Sequence, residues 1–122
     1  MPEVKYIHRD NTQILLIDLS NLSDARILPD LVAEAIRLAQ AADDPGSLRT
    51  LVDLSKTKIT KHIRASLQNL SRSNGRHAKA TAFVGLNSVW SLVLSTLLRA
   101  GGKRNHKVIR SRGEALLWLE QQ

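Results

Sequence analysis

Cysteine is absent from all 122 residues of the chain. Disulfide bonds, thiolate nucleophiles and cysteine-bound zinc are therefore excluded, and a reducing compartment, the cytoplasm, is the expected location. The longest apolar run, residues 89–98, is interrupted by two serines and a threonine. It is far shorter than the roughly 20 residues that span a membrane. The first residues also lack the apolar segment of a secretory signal peptide.

Aromatic residues are nearly as rare, since Phe, Trp and Tyr together make up 3% of the chain. Tyr6, Phe83, Trp90 and Trp118 all fall inside predicted strands or helices. The sequence therefore offers no exposed surface on which the bases of a nucleic acid could stack. We rank nucleic acid below proteins, small anions and lipids as a partner.

Motifs of catalysis and cofactor binding are missing as well. No Walker loop, dinucleotide fingerprint or Gly-x-Ser-x-Gly elbow occurs. The histidines lack the i, i+4 spacing of a helical zinc pair and have no carboxylate cluster nearby. We therefore expect no enzyme, no bound metal and no cofactor. The four histidines are His8, His62, His77 and His106.

Apolar and charged residues make up 43% and 24% of the chain, which is ordinary for a globular protein. The length suits a single domain over residues 1–122. The order of predicted elements, β-β-α-β-α-β-α-β-α, implies an α/β fold with a mostly parallel five-stranded sheet, four helices and an antiparallel edge from the initial hairpin. The predicted strands lie near 4–7, 14–17, 48–52, 80–84 and 108–109; the helices begin at Ser23-Asp24, at Thr60, after 85–88 and at Ser111, and the first three end at 43–46, Asn74-Gly75 and Gly101-Gly102.

Three segments carry a resemblance to a known family: Leu51-Val52-Asp53-Leu54-Ser55, Ala82-Phe83-Val84-Gly85-Leu86 and Gly113-Glu114-Ala115-Leu116-Leu117-Trp118-Leu119. Together with the order of elements, they resemble the small bacterial relatives of the anti-sigma-factor-antagonist (STAS) fold, which are sometimes grouped with lipid-transfer-like domains. The resemblance covers nearly the whole chain and rests on hydrophobic patterns, so it bears on fold more than on function. It implies a single STAS-like domain that is regulatory and not catalytic.

The phosphorylation switch of this family is missing from the chain. Partner-switching members carry an Asp-Ser pair followed by Gly where the second helix begins, whereas this chain has Thr60-Lys61-His62-Ile63. Thr60 is expected to cap the helix, and Ser55 and Thr57 are expected to form turns, in preference to accepting phosphate.

Two segments, Asp18-Leu19-Ser20 and Asp53-Leu54-Ser55, repeat the same residues at the ends of two predicted parallel strands. Open α/β sheets bind their ligands at this edge, which makes Asp18 and Asp53 the best acid–base candidates. The alternative, which we favour, is that each carboxylate accepts hydrogen bonds from its own turn, so that the repeat reflects chance or shared strand-end chemistry.

Positive charge is concentrated in the second half of the chain. Residues 1–54 contain five Lys and Arg against nine Asp and Glu, a net −4, whereas residues 55–122 contain thirteen against two, a net +11. Most of these cations fall where positive charge complements helix dipoles. Five others fall at the carboxyl edge of the sheet, beside helix starts near Thr60, Ser88 and Ser111, and form either an anion site or a solvated rim. These five are Lys56, Lys58, Lys61, Arg110 and Arg112.

The third predicted helix is apolar nearly all round, apart from a narrow strip formed by Ser91 and Ser95. A helix of this kind is usually buried in the core, which is the interpretation we favour. It could instead contact a second copy of the chain in a homodimer or line an apolar cavity. The residues concerned are Trp90, Val93, Leu94 and Leu97.

Taken as a whole, the sequence indicates a non-catalytic binding or regulatory module. We expect it to recognise a protein partner or a small anionic ligand at the carboxyl edge of the sheet. The alternative is a lipid carrier or membrane-surface binder, in which the third helix provides the apolar surface and the cations meet anionic lipid head groups.

Overall fold

The computed structural model describes residues 2–42, 47–73, 78–100 and 105–122, with the side chains of 71 and 97–100 excepted. The predicted helix ends at 43–46, Asn74-Gly75 and Gly101-Gly102 lie outside the described residues, as does His77. The elements are β1 (Glu3–Arg9), β2 (Thr12–Asp18), a 3-10 turn (Ala25–Ile27), α1 (Leu28–Gln40), β3 (Arg49–Asp53), α2 (Lys61–Ser73), β4 (Ala80–Val84), α3 (Ser88–Ala100), β5 (His106–Ile109) and α4 (Arg112–Glu120).

The five strands form one sheet in the order β1-β2-β3-β4-β5. The β1–β2 hairpin is antiparallel and every other pair is parallel, which confirms the predicted α/β architecture. The parallel register pairs Asp18 with Asp53, and Asp53 with Val84. Three neighbouring strands therefore end side by side, and the turns that follow them are brought together at one edge.

Two apolar layers cover the two faces of this sheet. Alternate residues of each strand point to opposite faces, so that Val52 and Phe83 lie in one layer and Leu51 and Ala82 in the other. Successive crossovers of one hand place α1, α2 and α3 over the first layer, and α4 covers the second. Burial on both faces explains why β2 is apolar without alternation. The helical residues of the first layer are Leu28, Val32, Ala35, Ala39, Ile63, Leu67, Leu70 and Leu94, and those of the second are Ala115, Leu116 and Leu119.

Side-chain caps begin the helices largely as predicted. The hydroxyl oxygens of Thr60 and Ser111 accept backbone N–H bonds three residues on, at 3.3 Å each, at the starts of α2 and α4. At α3 the capping acceptor is Asn87, whose Oδ1 lies 2.9 Å from the Trp90 nitrogen, and Ser88 is the first helical residue. Asp24 caps the 3-10 turn and not α1 itself, because that short turn is inserted before the helix.

Gly85 provides a sharp test of the fold at the end of β4. Its φ is +90°, and a Cβ at this position would overlap the backbone nitrogen of Ser55. Because both the conformation and the contact exclude a side chain, we expect Gly85→Ala to lower the free energy of unfolding by about 2 to 3 kcal/mol. Urea unfolding followed by tryptophan fluorescence measures this loss.

Gly113→Ala is the matched control for that substitution. Gly113 lies in α4, and nothing lies within 4 Å of the position that a Cβ would take there. A helical alanine is about 0.5 to 1 kcal/mol more favourable than glycine. We expect equal or greater stability in this variant. Equal losses at the two glycines would contradict the assignment of Gly85 as the closely packed one.

Candidate functional site

The repeated Asp-Leu-Ser segments form the same turn at two neighbouring strand ends. The carboxylate of Asp18 accepts a hydrogen bond from the backbone N–H of Ser20 at 2.9 Å, and Asp53 accepts one from Ser55 at the same distance. The next residue in each case has a left-handed backbone, with φ of 54° at Asn21 and 57° at Lys56. The repeat therefore reflects shared strand-end chemistry, and the turn role favoured for both aspartates is confirmed.

Backbone hydrogen bonds join the turns to one another beyond the ends of the strands. The Leu19 nitrogen donates to the Asp53 carbonyl at 2.8 Å, and the Leu54 nitrogen donates to the Val84 carbonyl at 2.8 Å. The Thr57 hydroxyl donates to the Leu19 carbonyl at 2.5 Å, which confirms its turn role. Since each turn is bonded to the next, this edge of the sheet is held in one conformation.

Lys56 occupies a backbone conformation that suits its residue type poorly. The left-handed region costs an ordinary L-residue roughly 1 to 2 kcal/mol, whereas asparagine enters it readily. Asn21 fills the equivalent position in the first turn, so the chain itself shows which residue the backbone would accept. A lysine kept at such a position, with its side chain exposed, is an unusual feature of this edge.

Arg112 lies between the two strand-end carboxylates. Its Nη2 is 2.6 Å from Asp53 Oδ2 and 3.3 Å from Asp18 Oδ2, and its Nε donates to Asp53 Oδ2 at 3.0 Å. The side chains of Asp18 and Asp53 are only 10% and 6% exposed, against 41% for Arg112. We call these three residues the Asp–Arg–Asp cluster. Arg112, predicted as a free anion-binding cation, is thus occupied by carboxylates, because α4 begins directly beside them.

The cluster shifts the protonation equilibria of two of its members. Burial raises the pKa of Asp53, but hydrogen bonds from Ser55 and the ion pair with Arg112 outweigh burial and hold that pKa below its usual value. Burial lowers the pKa of Arg112, and its bonds to Asp53 and Asp18 reverse this and raise it. Asp53 is therefore ionised at neutral pH, which suits an acceptor in an ion pair better than a general acid.

The other four predicted cations remain exposed. Lys56, Lys58 and Lys61 have no carboxylate partner within the described residues. Arg110 lies 3.9 Å from Glu114, but both side chains are well exposed, so this pair neutralises little of its charge. Three lysines thus follow one another within six residues, in a loop and helix start without acidic side chains.

The expectation that motifs of catalysis are missing is corrected at one place in this loop. Ser55 and Lys58 stand at the Ser-x-x-Lys spacing of some acyl-transfer enzymes. They lie in the connection before α2, which begins only at Lys61. The backbone N–H of Ser55 donates to Asp53 Oδ1 at 2.9 Å, so Ser55 is a turn residue.

The third helix is less buried than its composition predicted. Leu94 is buried in the core, and Trp90 and Val93 are half-buried, whereas the Leu97 side chain lies outside the described residues. Val89 and Leu92 are 68% and 71% exposed. The prediction of a core helix therefore holds for Leu94 and is wrong for the side that carries Val89 and Leu92.

Metal sites and membrane-spanning helices are both absent from the part of the chain that the structure describes. No group of three or more His, Cys, Asp or Glu side chains is arranged to hold a metal ion there. None of the helices in that part is long and apolar enough to cross a membrane.

Comparison with solved structures identifies the architecture. A STAS-domain protein from Planctomyces limnophilus is 12% identical, with a TM-score of 0.53 over 97% of this chain and 98% of that one. The chain has the STAS fold. An uncharacterised DUF3478-family protein from Shewanella loihica, described as SpoIIAA-like, is 16% identical, with a TM-score of 0.62 over 95% of this chain and 91% of that one. No protein-family model and no curated protein matches the sequence.

The Asp–Arg–Asp cluster predicts how this STAS fold responds to acid. Stability from the lowered pKa of Asp53 is present above the unfolded value near 3.9 and is lost as the pH falls through the folded value. Arg112→Gln removes the ion pair, so we expect acid unfolding to begin at higher pH. At pH 7 we expect a loss of about 1 to 3 kcal/mol, because Arg112 is only partly buried.

Arg110→Gln is the matched control, since the Arg110 side chain is 90% exposed. We expect its acid-unfolding curve, followed by circular dichroism, to coincide with that of the unmodified protein. If both arginine variants unfold at the same pH, the cluster does not stabilise the carboxyl edge.

Proposed function

We propose that the chain is a non-catalytic binding module, which recognises a protein partner or a small anionic ligand at the carboxyl edge of its sheet. The observation that carries the proposal is the exposed left-handed Lys56, followed by Lys58 and Lys61 in a segment without acidic residues. Helix α2 begins in the same segment, and its amino-terminal dipole adds to the positive potential.

Local structure does not require a lysine at residue 56. Asparagine in the equivalent turn of β2 makes the same backbone conformation at lower cost. Strained residues are frequent at functional sites, where the side chain is needed in a defined place. Lys56 is therefore the member of the group that we expect to contribute most to binding an anion.

The Asp–Arg–Asp cluster supports this assignment in two ways. Arg112 offsets one of the two negative charges that Asp18 and Asp53 would otherwise present to an approaching anion. The hydrogen bonds between the turns also hold the loop backbone before binding, which reduces the entropy lost on association. The cluster is in this view a structural support, and the exposed lysines make the contact.

A binding function fits the observed chemistry better than catalysis does. The two carboxylates predicted as acid–base candidates are already occupied by turn N–H groups and by Arg112. Similarity of fold alone also favours a regulatory module, because one solved structure with the same architecture is described as an anti-sigma-factor antagonist (STAS) domain protein.

Lipid carriage receives less support from the third helix. A carrier needs apolar side chains directed into a cavity, whereas the exposed Val89 and Leu92 are directed to solvent. Leu94 is already packed in the core. We therefore do not propose an internal lipid site.

Lys56→Asn tests the binding proposal without damaging the fold. The substitution removes the charge and relieves the backbone, so we expect equal or greater stability, by up to about 1 kcal/mol. Amide chemical shifts are titrated with a glutamate-rich peptide and, separately, with inorganic phosphate. We expect shifts concentrated in 55–61 and an affinity about tenfold weaker in the variant.

Lys79→Asn is the control, because Lys79 is an exposed lysine just before β4, at the opposite edge of the sheet. It should leave the affinity unchanged. Unaltered binding by Lys56→Asn and by Lys58→Asn would reject the carboxyl-edge site. Charge reversal at Arg112 is unsuitable as a test, since it would place a third carboxylate against Asp18 and Asp53.

A further inference from the structure

Helix α3 presents an apolar ridge to solvent. Val89 and Leu92, 68% and 71% exposed, are three residues apart and so lie on the same side of the helix. The serines that form the polar strip of this helix, Ser91 and Ser95, are less exposed than the ridge. Isolated apolar residues on a surface are ordinary, but a helix that exposes large aliphatic side chains while half-burying its serines is not explained by the core alone.

The chain segment that contains the ridge carries charge of a single sign. No Asp or Glu occurs from residue 54 to residue 113, a segment that contains α2 and α3 and thirteen Lys and Arg. The two helices meet where the Arg64 guanidinium lies 5.8 Å from the centre of the Trp90 ring. Arg64 is exposed, and Trp90, which it contacts, is the neighbour of Val89 in the sequence of α3. We call the surface formed by Arg64, Val89 and Leu92 the α2–α3 face.

The combination of cations with exposed aliphatic side chains indicates which kind of partner could bind the α2–α3 face. A second copy of the chain would bring surfaces of like charge together, which opposes self-association. A nucleic acid would attract the cations, but its phosphate backbone offers no apolar surface for Val89 and Leu92 to contact. Anionic bilayers match both parts, because acyl chains accept the aliphatic side chains and head groups attract the cations.

We propose that the α2–α3 face docks on the surface of an anionic lipid bilayer, with Val89 and Leu92 inserted at the level of the head groups. Binding of this kind is reversible and peripheral, since only two large aliphatic side chains insert. The inference goes beyond the carboxyl-edge proposal, because it rests on the α3 ridge and does not require Lys56.

Vesicle flotation with the full chain tests the proposal. Phosphatidylcholine vesicles are compared with vesicles that also contain phosphatidylserine, at low and high salt. We expect binding only to the anionic vesicles, weakened by salt, and a loss of at least about tenfold in Val89→Ser/Leu92→Ser. Both positions are exposed, so urea unfolding of this variant should remain close to that of the unmodified protein.

Leu117→Ser is the matched control. Leu117 is a similarly exposed aliphatic residue, at 55%, but it belongs to α4 on the other face of the sheet, and its substitution should leave vesicle binding unchanged. Equal binding by Val89→Ser/Leu92→Ser would show attraction by net charge alone and would overturn the proposal. Absence of binding to anionic vesicles would also overturn the proposal. This holds even if an acidic protein is found to bind the α2–α3 face. Retained vesicle binding by Lys56→Asn, within a few-fold, separates this proposal from the carboxyl-edge site.

Discussion

The ion pair between Arg112 and the two strand-end carboxylates is the interaction on which the carboxyl edge depends. Parallel pairing places Asp18 beside Asp53, where two buried negative charges would repel each other. Arg112, the first residue of α4, lies within hydrogen-bonding distance of both. One guanidinium therefore offsets part of this repulsion and fixes the start of α4, the helix that completes the second apolar layer.

The two turns at this edge share a backbone conformation but differ in the side chain that occupies it. Asp18 and Asp53 form the same hydrogen bond to the following serine and are followed by the same left-handed backbone. One turn uses Asn21, which the conformation favours, and the other uses Lys56, which it disfavours. The difference between the two turns lies in the side chain that each presents to solvent, and this contrast is the basis for our proposal that Lys56 takes part in binding.

Charge and apolar exposure divide the surface into regions of different chemistry. Cations that lie close to carboxylates, such as Arg112, contribute to stability, whereas cations without such neighbours contribute to the potential that a partner meets. On α2 the exposed Arg64 contacts Trp90 of α3, the helix that exposes Val89 and Leu92, whereas at the carboxyl edge the exposed cations lie beside polar turns. This division is why we propose a protein or small anion as the partner of the carboxyl edge and an anionic bilayer as the partner of the α2–α3 face.

The sequence by itself determined the order of elements, the mostly parallel sheet and most helix caps. The elements follow from local patterns, namely apolar periodicity and capping side chains such as Thr60 and Ser111. The parallel sheet follows from the alternation of strands and helices, because crossovers between parallel strands are right-handed and connect neighbours. The sequence also placed Asp18, Asp53 and Arg112 at one edge, because the topology brings the carboxyl ends of parallel strands together. The sequence could not show that Arg112 forms ion pairs with the two aspartates, since the distance between α4 and β3 depends on how the helix packs across the sheet.

Only the tertiary structure decided which side chains are free. Arg112 and Lys58 look alike in the sequence, yet one lies against two buried carboxylates and the other is exposed. Leu94 and Leu92 are equally apolar neighbours on α3, but one packs against the sheet and the other is exposed to solvent. In each pair the residue type is similar and the surroundings differ, because burial and ion pairing arise from segments far apart in the chain.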